Sequence, residues 1–113
     1  LNQRVLAEIA AFLAHAYTKS QQFEQAKYTL DLISTFCAEH WLVHYILACH
    51  HSLKYEQVPE GKELSLALES LQRALELDKK RVKLHAAKDP DLRQLKLNQP
   101  EQFKKLLEEG GHS

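Results

Sequence analysis

The sequence predicts an all-α fold of antiparallel helical hairpins closed by a capping helix, and three observations predict it. Only three glycines and three prolines interrupt 113 residues, too few breakers for a chain of many turns. Apolar residues recur at intervals of three and four through long segments, the period of a helix with one buried face. The pattern of one hairpin then returns further along the chain, which marks stacked units of a repeat. With 44% hydrophobic and 27% charged residues, the composition suits a single small soluble domain over residues 1–113.

Val5, Leu6, Ile9, Ala10, Phe12, Leu13, Ala16 and Tyr17 place a first helix over Val5 to Tyr17. Polar Lys19-Ser20-Gln21 interrupts it, and Phe23, Ala26, Tyr28, Leu30, Ile33 and Phe36 carry a second helix; so short a gap joins antiparallel neighbours. The third helix, Trp41 to Leu53, is apolar almost all round, which predicts burial on more than one side or a surface awaiting a partner. Tyr55 to Gly61, holding Pro59, is the clearest loop. From about Lys62 a fourth helix buries Leu64, Ala67, Leu68, Leu71, Ala74 and Leu75. Arg81 to Ala87 is weaker helix. Asp89 as N-cap and Pro90 as first helical residue then start a short turn. Gln99-Pro100-Glu101 repeats that logic for a last helix with Phe103, Leu106 and Leu107 inside, ended by Gly110-Gly111.

Leu13-Ala14 and Leu47-Ala48 stand 34 residues apart, with Ala10 against His44 and Tyr17 against His51 in the same register. In the second helices Phe23, Ala26, Leu30 and Ile33 align with Leu64, Ala67, Leu71 and Ala74 at an offset of 41. The seven extra residues are expected in the Pro/Gly loop. This arrangement resembles the tetratricopeptide repeat, a helical hairpin of about 34 residues with the pattern W-x2-L-G-x2-Y, A-x3-F and P. Repeat one covers about 7–38, repeat two about 41–80 and a cap about 81–109. Leu13, Ala14, Tyr17 and Ala26 carry the match in the first unit, and Leu47, Ala48 and Ala67 in the second. Ala10 and His44 replace the opening Trp, alanine replaces glycine twice, His51 replaces the second Tyr, and neither unit closes with Pro.

The resemblance implies a short right-handed superhelix in which Leu13, Ala14, Tyr17, Ala26, Leu47, Ala48, Ala67 and Leu71 pack helix on helix. Small residues there let helix axes approach closely. The tail, Ala87 to Leu95 with Pro100 to Phe103, looks like a segment that often follows the last such repeat, and it would cover the open end of the stack. In such arrays the first helix of each hairpin lines a concave groove, which places Glu8, Ala11, Phe12, His15 and Thr18 beside Leu42, Tyr45, Ile46 and Cys49. An oily groove of this kind suits an apolar or amphipathic helix, unless the cap helix, another protomer or a missing part of the chain covers it. Family members that clamp the acidic tails of heat-shock chaperones use Lys, Arg and Asn at such positions. Ala11, His15, Leu42 and Ile46 stand there instead, so that role is not expected.

Phe36 to His51 also holds two cysteines and four histidines. Cys37, His40 and His44 have ligand-like spacing, and two histidines four apart share a helix face as zinc ligands do. Cys49 points elsewhere, and no CxxC pair supports a metal. The expectation is therefore no metal and no cofactor, with a Cys/His metal sensor as a remote alternative. Cys49 and His50 are sequence neighbours whose side chains diverge by about 100° on a helix, which argues against a Cys/His nucleophile. Glu108-Glu109 reads as a solvated face, and no glycine loop cradles phosphate.

Lys+Arg and Asp+Glu are both 15, leaving no net field for nucleic acid or an anionic bilayer. The longest oily run, Trp41 to Cys49, is far short of the ~20 residues a spanning helix needs, so no membrane insertion is expected. Two cysteines make no disulfide framework and fit an intracellular, reducing compartment, cytoplasmic or organellar. Leu1 in place of Met suggests a trimmed or excised piece whose targeting is not readable. The function expected is a non-catalytic protein–protein interaction module, a scaffold that binds a partner peptide, a helix or its own protomer. The alternative is the regulatory or substrate-docking end of a larger enzyme.

Overall fold

The computed structural model describes residues 2–109, and these residues are all-α, with seven helices on short connections. The first, α1 (Gln3–Lys19), starts where the Asn2 side chain accepts a 2.8 Å hydrogen bond from the Val5 amide. That satisfies one of the donors a helix start leaves unpaired. A tight turn follows in which Gln21 takes a left-handed φ of 64°, and α2 (Phe23–Phe36) runs back beside α1. The second hairpin is α3 (Trp41–Gln57) and α4 (Gly61–Leu77).

The expected long loop before α4 is only Val58 to Glu60. Relative to the first hairpin, α3 runs four residues past Leu53, the counterpart of Lys19, and α4 begins three residues before Leu64, the counterpart of Phe23. The seven added residues therefore lengthen both helices by about one turn each. Nothing from Tyr55 to Gln57 opposes helix, and Tyr55 finds cover against the core; the break waits for Pro59.

Asp78 accepts from the Arg81 amide to start α5 (Lys79–Ala86). As the sequence predicts, Asp89 caps the next turn, its Oδ1 accepting from the Asp91 amide at 2.9 Å, with Pro90 first in a 3-10 turn over Pro90–Leu92. Two short helices, α6 (Arg93–Asn98) and α7 (Pro100–Glu109), complete the cap. Gly110 and Gly111 lie outside the described residues.

One core runs through both hairpins into the cap. Ala14, Ala26, Ala48 and Ala67, one on each of α1 to α4, are all fully buried, and α1 packs on α2 as α3 does on α4. Ala7, Ala11, Ala14 and Thr18 form the inner stripe of α1. Leu71 and Leu75 of α4 continue to Val82, Leu92, Leu95 and Phe103. Each fully buried leucine contributes about 1.5–3 kcal/mol relative to exposure. Three expected packing residues differ: Leu13 stays 48% exposed, and Tyr17 and Leu47 are only partly covered. The inner stripe of α1 excludes Leu13 and Tyr17 because they lie a quarter-turn or more around the helix from it.

Candidate functional site

Most side chains expected to line an open trough on the first helices are covered by the chain itself. Ala11, Leu42, Tyr45, Ile46 and Cys49 are buried, while Glu8 is partly covered and Phe12 is 60% exposed on the outer side of α1. Thr18 is not a lining residue at all. Its hydroxyl donates to Ala14 O at 3.0 Å inside the core. The occupant is Asp89-Pro90-Asp91, between α5 and α6.

Five side chains hold that segment. Tyr45 donates its hydroxyl hydrogen to Asp89 Oδ2 at 2.6 Å, and Cys49 Sγ lies 3.8 Å from the same oxygen. Lys19 Nζ donates to Asp91 Oδ1 at 2.7 Å, and His15 Nε2 sits 3.2 Å from Asp91 Oδ2. Lys96 Nζ donates to the carbonyls of Ala87 and Asp89. Beside them Trp41 stacks on His85 with ring planes 12° apart. Both carboxylates thus sit among donors, in the arrangement that makes partly buried charge tolerable.

This surrounding sets the protonation states. Burial first, then the neighbouring Asp89 and Asp91, pushes the Cys49 thiol well up, so it stays protonated and poorly nucleophilic. Burial, together with Cys49 and Asp89, likewise raises the Tyr45 pKa. The bond to Asp91 raises that of Lys19 against the opposing effect of burial.

Ligand atoms of Cys49, Asp89 and Asp91 come within 4.8 Å of one another, the one such cluster of three among the described residues. A cation there would have to displace Tyr45, Lys19 and His15 from the carboxylates, and the thiol would have to lose its proton. The histidines and cysteines singled out in the sequence go separate ways. Cys37 Sγ donates to Gln3 O. His40 Nδ1 accepts from the Leu42 amide, which leaves the proton on Nε2, 3.3 Å from Glu8 Oε2. His44 Nε2 is 2.7 Å from Ala38 O.

A second polar cluster was not expected. His51 Nδ1 lies 2.7 Å from Glu63 Oε2, and Lys54 pairs with the other oxygen at 3.4 Å. His50 Nδ1 lies 3.1 Å from Thr18 Oγ1. That hydroxyl already uses its hydrogen on Ala14 O, so the imidazole is the donor. Burial, then the charge on His51, lowers the His50 pKa to about 4. Two adjacent histidines in an otherwise oily helix were the available signal, but Glu63 lies at the start of α4, ahead of the aligned positions Phe23 and Leu64, so the repeat gave it no counterpart.

A cleft of about 500 Å³ opens between Gln3, Phe36, Cys37, Trp41 and Leu77. Its two arginines, Arg4 and Arg81, are engaged by Glu8 and Asp78.

Several exposed apolar side chains lie on the α1–α2 hairpin. Leu6, Ile9 and Leu13 are 41–54% exposed on α1, and Tyr28, Leu32 and Phe36 are 51–71% exposed on α2 at four-residue spacing. Tyr17 and Tyr28 share a shallow hollow between the helices, while Phe36 also borders the cleft beside Trp41 and Leu77. The repeat supplies a comparison. At the positions of Tyr28 and Leu32 the second hairpin carries Glu69 and Arg73, and these line a hollow beside Leu47, the counterpart of Leu13, that Lys27 of α2 also borders. The counterpart of Ile9, Val43, is fully buried.

No helix of the described residues is long and apolar enough to cross a membrane. Set beside known protein families, curated proteins and solved structures, the chain matches none.

Proposed function

We propose that this chain is a non-catalytic helical-repeat module of the tetratricopeptide kind that binds another polypeptide, and that it binds through the outer end of α1–α2, not through the concave trough. The single supporting observation is the contrast between equivalent positions. The second hairpin carries Glu69 and Arg73 at the equivalent positions, in a hollow it shares with Lys27 of α2, so an apolar residue is not required there for the hairpin to fold; the first hairpin nevertheless exposes Tyr28 and Leu32. Exposed apolar patches of this extent mark interaction surfaces.

A scaffold role agrees with the state of the buried groups. Cys49 is held as a thiol, and the trough carboxylates are committed to positioning the cap. The two free, buried cysteines agree with a reducing, intracellular compartment.

The test is affinity capture from an extract of the source cells, with partners identified by mass spectrometry. Wild type is compared with Leu32→Asp and Tyr28→Lys, two exposed positions where substitution leaves helicity intact. Polypeptides held by wild type, copies of the chain included, should be lost from both variants. Capture that is indifferent to both substitutions removes the reading.

A further inference from the structure

Resting on the assignment of the α1–α2 face as a surface for a polypeptide, we infer that what it is built to take is a further helical hairpin of the same repeat, carried by the same protein ahead of residue 1. The second hairpin shows how such a face is used. His40, which caps α3, and Val43, Leu47 and His50 within it follow at steps of three and four, so they form one stripe. That stripe is seated on the first hairpin. His40 Nε2 lies 3.3 Å from Glu8 of α1, Leu47 borders a hollow with Lys27 of α2, and His50 reaches Thr18 of α1 and stands edge-on to Phe23 of α2. Val43, between them, is fully buried.

Thirty-four residues earlier the same stripe reads Leu6, Ile9, Leu13 and Ala16, and all four are exposed. The second helix agrees. Glu69 and Arg73 face the first hairpin across the hollow that Lys27 borders, and their counterparts Tyr28 and Leu32 are exposed. The first hairpin thus repeats the docking stripe of the second, with no hairpin seated on it among the described residues. Where α3 brings His40 and His50 to Glu8 and Thr18, α1 has Leu6 and Ala16. A hairpin that fits therefore carries apolar or small residues at the positions corresponding to Glu8 and Thr18, because a carboxylate or hydroxyl covered there would lack a partner.

A second copy of the chain has no such seat to offer. The face that receives the stripe belongs to α1–α2 and is covered in every copy by its own α3, and beyond α4 the cap residues Leu92, Leu95 and Phe103 are buried in the shared core. The two sides of the stack also differ from each other. A terminal unit of a stacked repeat carries a polar outer face or a cap. The α4 side has its cap, whereas the α1 side presents Leu6, Ile9, Leu13, Tyr28 and Leu32, the composition of a joint between units.

The experiment compares the 113-residue chain with the same protein extended by what its reading frame encodes ahead of residue 1, about 40 residues for one repeat and its connection. The encoded segment should read as two amphipathic helices with apolar or small residues at the counterparts of Glu8 and Thr18. Amide exchange across α1 and α2 should be at least about tenfold slower in the extended protein. Ile9→Lys and Leu32→Asp should each cancel that slowing, with unchanged far-UV circular dichroism of the 113-residue chain. A reading frame that opens less than about 30 residues ahead, too short for a repeat of about 34, overturns the inference. So does exchange that is equal in the two proteins, or slowing that survives both substitutions. If exchange is equal but capture of other polypeptides is lost on Leu32→Asp, the inference falls and the interaction-module reading stands. Slowing that both substitutions cancel, with no capture of a separate polypeptide, upholds the inference and removes that reading.

Discussion

Tyr45 and Asp89 lie forty-four residues apart in the chain and meet inside it, the phenol donating to Asp89 Oδ2 at 2.6 Å. A bond that short between a hydroxyl and a carboxylate is of the stronger, charge-assisted kind. Tyr45→Phe keeps the ring and its packing beside His85 but leaves the carboxylate short of a donor. The expected cost is about 1.5–3 kcal/mol of unfolding free energy. Amide exchange should quicken over the 3-10 turn and α6, which the bond anchors. A urea midpoint equal to wild type would show that the cap is seated by apolar contact alone.

The two buried histidines make stability depend on pH in a defined direction. The folded His50 pKa of about 4 lies below the ordinary 6.5. Between those values the unfolded chain binds a proton that the folded chain does not, so stability is full above about pH 6.5 and is lost as pH falls toward about 4. His51, lowered chiefly by burial despite the pull of Glu63, acts in the same direction. For Glu63 burial alone works upward, yet His51 and Lys54 outweigh it and the pKa is lowered; its share is lost in acid as well. The His50 part is about 2–3 kcal/mol. Urea titrations across this range should show the loss in wild type and a smaller one in His50→Gln. Equal losses in the two proteins would contradict the assignment.

Helix approach at the alanines is testable by overpacking. Ala14→Leu and Ala67→Leu insert bulk where no space is exposed, and each should cost about 1–3 kcal/mol. Ala16→Leu, on the exposed side of α1, should stay within about 0.5 kcal/mol of wild type. Thermal unfolding of the three variants checks the order; equal shifts would mean that the hairpins do not nest through their small residues.

Cys49 is fully buried with its thiol pKa pushed well up, whereas Cys37 keeps 9% of its surface. Alkylation of the native protein at neutral pH should therefore modify Cys37 first. Cys49 should react only at the rate at which the molecule opens, a rate that urea accelerates. Peptide mapping at early times distinguishes them, and equal labelling would place Cys49 at the surface.

The hairpins were legible because their signal is periodic and local. The matched alanines, the Asp89-Pro90 start and the Phe103 inner face all follow from spacing and capping within a few residues. The contents of the trough were not legible. Leu42, Tyr45 and Ile46 look the same in sequence whether a partner or the chain's own tail covers them, and the bonds that decide it join residues forty or more positions apart. Helix length past Leu53 was missed because Pro59 and Gly61 draw attention to a break without fixing where it begins. The outer end of α1–α2 was readable in principle: laying one hairpin over the other sets Tyr28 and Leu32 against Glu69 and Arg73.

The longer second hairpin has a consequence for how such a molecule changes over time. Adding four residues to one helix and three to the next keeps every stripe facing its old neighbour, because each increment is close to one revolution. New material so added arrives already facing the interior of the structure. Here it brought Glu63 to His51, and Glu56 to Arg93 of α6 at 2.6 Å. Growth by whole revolutions is thus a route by which a plain stacking unit acquires a latch for whatever follows it, without any disturbance of the older contacts beneath.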